Sequence, residues 1–246
     1  KRRLLSNKNP IIKDKSKKNL SSIKIKQSQI LIIISSGSWH NSLIKSFKKV
    51  FGKEINHFDY MFYKLTPENF YSLKGFYYRN FIEKEIEKNI IKNNIKVLGG
   101  YFDGFLLRPS FLHRLKNKYN MRMFNISFDD RQSWDNYVFD VNNSYRNLTD
   151  ITRFFDYFFT SSKITLNWHL MEKGNPIYLP EGGDTDIYKC IPFEKRDKLV
   201  FIGSNYGNRE NIVNYLKNCG ISISCYGNGW KNTGSIKAVD ILKIIK

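Results

Sequence analysis

The fold is decided by residues 199–230, which read LVFIGSNYGNRENIVNYLKNCGISISCYGNGW. An apolar run at 199–202 ends in a loop that contains Gly203, and an amphipathic segment follows and ends at Gly220. A second apolar run then ends in the loop GNGW. This order predicts strand, glycine loop, helix, strand and glycine loop, which is the opening unit of a doubly wound α/β domain.

The two glycine loops are predicted at a ligand site, because ligands bind beyond the carboxyl ends of the strands in such domains. Glycine there lets the backbone approach a ligand closely, and the N-terminus of the following helix favours an anion. A second interpretation stays open, in which the glycines only make tight turns.

An earlier stretch repeats this pattern. Residues 29–34, QILIII, form a continuous apolar run, which is typical of a strand buried on both faces in a parallel sheet. A predicted helix over 41–51 and a predicted strand over 54–60 follow it. Between these two strand–helix–strand patterns, the sequence predicts helices over 76–94, 109–118 and 164–172. It predicts strands over 96–102, 121–128, 154–159 and 177–180.

We therefore expect an α/β protein with two Rossmann-like domains. A basic, flexible arm over 1–27 precedes the first domain at 28–186, and a polar linker at 187–197 leads to the second at 198–246. The second domain is expected to be incomplete and to continue past Lys246, because domains usually hold roughly 100 residues or more.

The composition excludes several classes of protein. With 246 residues and 41% hydrophobic content, the chain can bury a core, so it is not disordered. No apolar run approaches the roughly 20 residues of a membrane-spanning helix. Neither a signal peptide nor an even cysteine count is present, which predicts a cytoplasmic protein with reduced thiols. The G-x-S-x-G, P-loop and G-x-G-x-x-G motifs are absent from the sequence, which disfavours hydrolases, P-loop enzymes and dehydrogenases.

The formal net charge of +19 has two interpretations. Residues 1–29 hold ten Lys and Arg against one acid, and the remainder is rich in Lys, Asn and Ile, as biased codon usage and a solvated surface would produce. The other interpretation is attraction to anionic partners: the inner face of a membrane, phosphate-bearing substrates or nucleic acid. A non-catalytic module that binds nucleic acid or another anionic polymer is therefore the alternative function.

Four short motifs between residues 125 and 230 carry a resemblance to a known family. They are FDD at 128–130 with Trp134, FDYFFT at 155–160, YLP at 178–180 with Asp184 and Tyr188, and FIGS, NR and GNGW between 201 and 230. In order and spacing this set resembles the CgeB-like glycosyltransferases, a branch of the two-domain GT-B enzymes related to group 1 transferases. The first 120 residues match only in general architecture.

The resemblance implies two Rossmann-like domains facing each other across a cleft, in which a sugar passes from a nucleotide-diphosphate donor to a glycan, protein or small-molecule acceptor. It implies no metal and no cofactor besides the donor itself, since basic side chains and helix N-termini stabilise the leaving diphosphate. The C-terminal domain would bind the donor, and the carboxylates that hold its sugar would fall beyond Lys246. Nucleic acid is not an expected partner of such an enzyme.

Donor contacts are predicted in the glycine loops and in the crossing between the domains. An arginine in the first turn of the helix can pair with phosphate oxygens, although a surface arginine is an equal alternative. A tryptophan can stack on a base or sugar, although one after a strand is more often part of a core. The predicted donor-binding residues are Gly203, Ser204, Asn205, Arg209, Gly227, Gly229, Trp230, Glu181 and Gly182.

Catalytic and acceptor-binding residues are predicted at the ends of strands in the first domain. Asp129 or Asp130 would act as a base on an acceptor hydroxyl or hold that hydroxyl in place, and a retaining reaction would need no base. His40 has a pKa range suited to proton transfer, although a lone loop histidine is usually a surface residue. The predicted acceptor-binding residues are Gly37, Trp39, Arg131 and Trp134.

Overall fold

The computed structural model describes residues 25–36, 40–63, 74–140, 144–183 and 199–230. The chain divides into two compact units, Lys1–Asp184 and Thr185–Lys246. Each unit contains a parallel sheet, which confirms the predicted α/β class. Most of the predicted basic arm, the whole predicted linker, Gly37 and Trp39 lie outside the described residues.

The first unit alternates strands and helices. In chain order its elements are β1 (Ile30–Ile33), α1 (His40–Phe51), β2 (Asn56–Phe58), α2 (Lys74–Lys92), β3 (Val97–Gly100), α3 (Pro109–Tyr119), β4 (Arg122–Ser127), α4 (Asp130–Ser133), β5 (Tyr137–Val138), β6 (Tyr145–Arg146), α5 (Asn147–Ile151), β7 (Tyr157–Thr160), α6 (Thr165–Met171) and β8 (Pro176–Tyr178). Short 3-10 turns lie at Gln27–Gln29, Tyr60–Tyr63 and Thr152–Phe154.

Six of these strands form one sheet in the order β2-β1-β3-β4-β7-β8, and every pair in it is parallel. The chain moves from β1 outward to β2 and then returns to the other side of β1 to form β3. The strand order therefore reverses between β1 and β3. In open α/β sheets the crevice for a ligand lies at the carboxyl edge of such a switch point.

The core explains why the apolar run at 29–34 becomes the central strand. Four consecutive residues of β1, Ile30–Ile33, are all buried. Leu31 and Ile33 belong to a cluster with residues of α2 and α3, whereas Ile30 and Ile32 belong to a cluster with Phe47 of α1. Helices thus cover both faces of β1, and each buried aliphatic side chain contributes about 1.5–3 kcal/mol.

Residues 132–153 received no predicted element, and the structure shows several short ones there. They are the second half of α4, the antiparallel hairpin of β5 and β6, and α5. The predicted strand over 154–159 is wrong at its start, because residues 152–154 form a 3-10 turn and β7 begins at Tyr157. Strands of two residues have no periodicity to detect, and hydrogen bonds from distant residues hold this segment, such as Gly104 N to Asn147 Oδ1 at 2.5 Å.

The second unit has the predicted strand, helix and strand. They are β9 (Leu199–Ile202), α7 (Arg209–Asn218) and β10 (Ile223–Tyr226), and the two strands pair in parallel. Across the described parts of both units, none of the helices is long and apolar enough to cross a membrane.

A close approach between β1 and β3 predicts a strong effect of Gly100→Ala. A Cβ at Gly100 would lie 1.9 Å from the backbone oxygen of Ile33, so the central pair of strands would have to separate. We expect a loss of ~3 kcal/mol in the free energy of unfolding, measured by urea denaturation.

Gly182→Ala is the matched control for this variant, because a Cβ at Gly182 would meet no atom of the described residues within 4 Å. Its unfolding curve should superpose on that of the unaltered protein. Equal midpoints for the two variants would contradict the proposed packing of β1 against β3.

Candidate functional site

Three side chains meet at the carboxyl edge of the switch point. His40 is the first residue of α1, Tyr101 follows β3 directly, and Asp129 lies just beyond β4. Tyr101 Oη donates a hydrogen bond to Asp129 Oδ2 at 3.2 Å, and the rings of Tyr101 and His40 lie 5.5 Å apart between centroids. The topology thus places an exposed carboxylate, a phenol and an imidazole, which we call the edge cluster, where such a sheet binds ligands.

The side chain of His40 is held by a contact with Ser35. Its Nδ1 lies 2.6 Å from the hydroxyl oxygen of Ser35, a buried residue two positions after β1. Partial burial lowers the pKa of His40, and the nearby charge of Asp59 opposes that shift. The imidazole is therefore neutral at neutral pH and able to accept a proton.

Tyr101 keeps its proton under the same conditions. Burial raises the pKa of Tyr101, and the negative charge of Asp129 raises it further. Because the phenol stays protonated, it acts as a permanent hydrogen-bond donor to Asp129. No local sequence signal marks Tyr101, since only the parallel pairing of β3 with β4 brings it beside Asp129.

Asp130 has a different environment from its neighbour. It is buried, and its Oδ2 accepts a hydrogen bond from Thr165 Oγ1 at 2.8 Å and lies 3.0 Å from Nε2 of the buried His169. His169 Nδ1 in turn lies 2.6 Å from Thr152 Oγ1. In this structure Asp130 joins α4 to α6 rather than facing the edge cluster, so its contacts support a structural role instead of the predicted catalytic one.

Two of the predicted acceptor-binding residues, Trp134 and Arg131, lie in the described part of the chain, and their environments differ. Trp134 packs edge-on against His169 at 4.7 Å between centroids, which places it with the interior. Arg131 lies exposed on α4, one residue beyond Asp130. Among the described residues, neither Arg131 nor Trp134 makes a contact that defines an acceptor site.

The crossing residues lie near the edge of the sheet. Glu181 Oε1 accepts a hydrogen bond from Ser161 Oγ at 3.1 Å, and that hydroxyl also lies 3.3 Å from the backbone oxygen of Phe128. Glu181 is thus tethered beside the ends of β4 and β7. Gly182 is exposed, and within the described part of the chain no atom lies within 4 Å of a Cβ placed on it.

In the second unit the two glycine loops pack on each other. Gly203 N donates to Tyr226 O and Asn205 N donates to Asn228 O, each at 2.7 Å. A Cβ at Gly227 would lie 2.3 Å from Gly203 O, so glycine is required for this approach. The tight-turn interpretation is therefore supported for Gly227, and the loops form one surface beyond the carboxyl ends of β9 and β10.

Arg209 and Trp230 are both built into that surface. Arg209, the first residue of α7, donates to Ser204 O and to Tyr206 Oη at 2.7 Å, and its guanidinium carbon lies 3.8 Å from the centroid of the Tyr206 ring. Its five N–H donors exceed the needs of these two bonds. Trp230 Nε1 donates to Gly203 O at 2.8 Å, and its ring packs against Phe201. Trp230 therefore holds the Gly203 and Gly227 loops together through this hydrogen bond and ring contact.

Two further features bear on the chemistry of the site. Within the described ranges, no group of three or more His, Cys, Asp or Glu side chains is placed to hold a metal ion. Cys219 and Cys225 are free thiols, and Cys190 lies outside the described residues.

Comparison with known proteins returns a similarity of structure only. No protein-family model and no curated protein matches the sequence. A solved structure named as a UDP-N-acetylglucosamine 2-epimerase from Listeria monocytogenes is similar over 86% of this chain and 70% of its own, with a TM-score of 0.46 and 10% sequence identity.

The buried pair of Asp130 and His169 predicts loss of stability in acid. Burial opposes ionisation of Asp130, but hydrogen bonds led by that from His169 outweigh it and lower its pKa below the usual 3.8. A carboxylate with a depressed folded pKa stabilises the fold above its unfolded pKa, and that contribution is lost as the pH falls through the folded value. We expect Asp130→Asn to lower the free energy of unfolding by about 3 kcal/mol at pH 7. The free energy of unfolding of this variant should also depend less on pH in acid, as measured by urea denaturation between pH 2 and 7.

Asp129→Asn is the natural control, because it changes the same group one residue away on an exposed side chain. Its unfolding free energy should stay within about 0.5 kcal/mol of the unaltered protein. If both variants are equally stable at pH 7, Asp130 does not join α4 to α6.

Proposed function

We propose that the protein is a glycosyltransferase that moves a sugar from a nucleotide-diphosphate donor to a glycan, protein or small-molecule acceptor without a metal. The observation that carries the proposal is the edge cluster, in which His40, Tyr101 and Asp129 meet at the switch point of a parallel sheet. The resemblance of the motifs between residues 125 and 230 to CgeB-like enzymes supports the same activity.

The edge cluster has the parts that an acceptor hydroxyl needs. In the proposed reaction the acceptor oxygen forms a bond to the anomeric carbon of the donor sugar while the bond from that carbon to the diphosphate breaks. The proton of the hydroxyl passes to the exposed carboxylate of Asp129, and Tyr101 holds that carboxylate in place through its hydrogen bond. Neutral His40 accepts a hydrogen bond or proton on the other side of the cluster.

The second unit would receive the diphosphate. The surface formed by the Gly203 and Gly227 loops lies at the N-terminus of α7, where backbone N–H groups favour an anion. Arg209 begins that helix with N–H donors to spare and a guanidinium held in place by Tyr206. These features support stabilisation of the leaving group by fixed dipoles and positive charge, which is the largest contribution in many enzymes.

The net charge of +19 favours a second candidate, a module that binds nucleic acid. Affinity for nucleic acid falls steeply with salt because binding releases counterions, whereas affinity for a nucleotide-sugar in a pocket falls much less. A salt titration with duplex DNA, single-stranded RNA and UDP-glucose separates the two functions.

A change of Asp129 tests the proposed base. Asp129→Asn keeps the size and the hydrogen bond from Tyr101 but removes the proton acceptor, so the transfer rate should fall by about 10²–10⁴-fold. The rate is measured as release of UDP from UDP-glucose in the presence of a panel of acceptors. Tyr101→Phe should lower the rate about tenfold, because it leaves the carboxylate in place but unsupported.

An Asp130→Asn variant that is folded but inactive, beside a fully active Asp129→Asn, would reverse this assignment of the two carboxylates. The transfer rate of Asp129→Asn could instead stay within a factor of two of that of the unaltered protein, with retained configuration in the product. That result would contradict the role of Asp129 as a base and leave it as a residue that orients the acceptor.

A change of Arg209 tests the donor surface. Arg209→Ala should weaken binding of UDP at least about tenfold, because a charge-assisted hydrogen bond to phosphate contributes roughly 1.5–3 kcal/mol. Isothermal titration calorimetry measures this loss. Tyr206→Phe removes only the hydroxyl that holds the guanidinium of Arg209, so it should weaken UDP binding less. Arg122→Ala changes an exposed arginine at the start of β4 in the first unit and should leave UDP binding unchanged.

Unchanged affinity for UDP in Arg209→Ala would remove Arg209 from the donor site.

A further inference from the structure

The first unit contains a cavity that the edge cluster does not use. It has a volume of about 530 Å³ and is lined by the start of α3, strand β6, α5 and the turn at 152–154. This volume lies within the range of small-molecule sites. The loop 101–108 connects the two places, because it runs from Tyr101 of the edge cluster to Arg108 in the cavity wall.

The charges in the wall balance. Two guanidinium groups, Arg108 and Arg153, and two carboxylates, Asp140 and Asp150, line the cavity. A polyphosphate or nucleic acid would meet as much negative charge as positive there, so the lining disfavours a polyanion. A lining that holds both donors and acceptors suits a ligand whose polar groups both donate and accept.

The two arginines differ in what they can offer. Arg108 is bound to Glu83, to which its Nε donates at 3.0 and 3.1 Å, and it forms a rigid part of the wall. Arg153 lies 3.5 Å from Asp150 and 3.7 Å from Glu172, and its side chain is 43% exposed. At such distances these ion pairs leave the guanidinium of Arg153 able to donate to a ligand.

The remaining lining supplies hydroxyl groups and aromatic faces. Ser110 is exposed at the second position of α3, where the backbone N–H groups of a helix lack intrahelical partners. Phe154 presents an aromatic ring, and Tyr145 closes the cavity with its hydroxyl bonded to Gly104 O at 2.7 Å. A sugar ring combines hydroxyl groups, which donate and accept, with an apolar C–H face, so it matches both parts of this lining.

We propose that this cavity binds a neutral sugar residue of the acceptor. Asp150 accepts from a sugar hydroxyl, Arg153 and Ser110 donate to sugar oxygens, and the ring packs on Phe154. The inference rests on the proposed function and narrows it, because it selects a glycan among the three classes of acceptor.

Saturation-transfer NMR on the full chain tests the cavity with three probes: glucose, N-acetylglucosamine and inorganic phosphate. At least one of the two sugars should receive saturation and phosphate should not compete with it. Ser110→Trp fills the cavity from an exposed position and should abolish the sugar signal. Arg153→Gln should weaken sugar binding about tenfold. Ser46→Trp, on an exposed serine of α1 against the other face of the sheet, should bind as the unaltered protein does.

Absence of signal from both sugars with the unaltered protein, undiminished signal with Ser110→Trp, or displacement of sugar by phosphate would each overturn the inference. If Ser110→Trp fails to fold, Arg153→Gln decides, and sugar binding equal to that of the unaltered protein then overturns it.

UDP binding on the same samples separates this inference from the proposed function. Both cavity variants should bind UDP normally, since their residues lie in the first unit and the proposed donor surface lies in the second. UDP binding and sugar transfer without sugar in the cavity would overturn the cavity site alone. Sugar binding that Ser110→Trp abolishes, in a protein that binds no UDP, would support the cavity site and contradict the transferase.

Discussion

Burial of β1 on both faces is the constraint on which the rest of the first unit depends. Its aliphatic side chains alternate between a cluster with α2 and α3 and a cluster with α1, so helices must pack on both sides of the sheet. Because β2 and β3 pair with opposite edges of β1, the strand order reverses beside it. One run of apolar residues thus produces both the stability of the unit and the switch point at which His40, Tyr101 and Asp129 meet.

The two adjacent aspartates, Asp129 and Asp130, have different environments. The chain leaves β4 at Asp129, whose carboxylate is exposed and accepts from Tyr101, and enters α4 at Asp130, which is buried beside His169. Thr165 and His169 lie at hydrogen-bonding distance from Oδ2 of this carboxylate, and Thr152 lies at that distance from the other ring nitrogen of His169. The rigid partner of Asp130 fixes the start of α4 and so holds Asp129 at the edge of the sheet.

The glycine loops of the second unit combine the two interpretations that the sequence left open. Gly227 is required where its loop approaches the backbone of Gly203, so it serves packing first. That packing brings both loops to one surface at the start of α7, and Trp230 locks it through Gly203 O. The same contacts that make the turns tight therefore assemble the surface proposed for the donor diphosphate.

The sequence by itself determined the α/β class, both strand–helix–strand starts and the position of Arg209 at a helix start, because long apolar runs and helical periodicity are local signals. It also placed His40 in the segment that follows β1 and Asp129 just beyond β4. Tertiary structure alone decided the pairing of Tyr101 with Asp129, the burial of Asp130 against His169, and the short elements between residues 132 and 153. Each of these depends on contacts between residues far apart in the chain, and strand order, which creates those contacts, leaves no periodic pattern in the sequence.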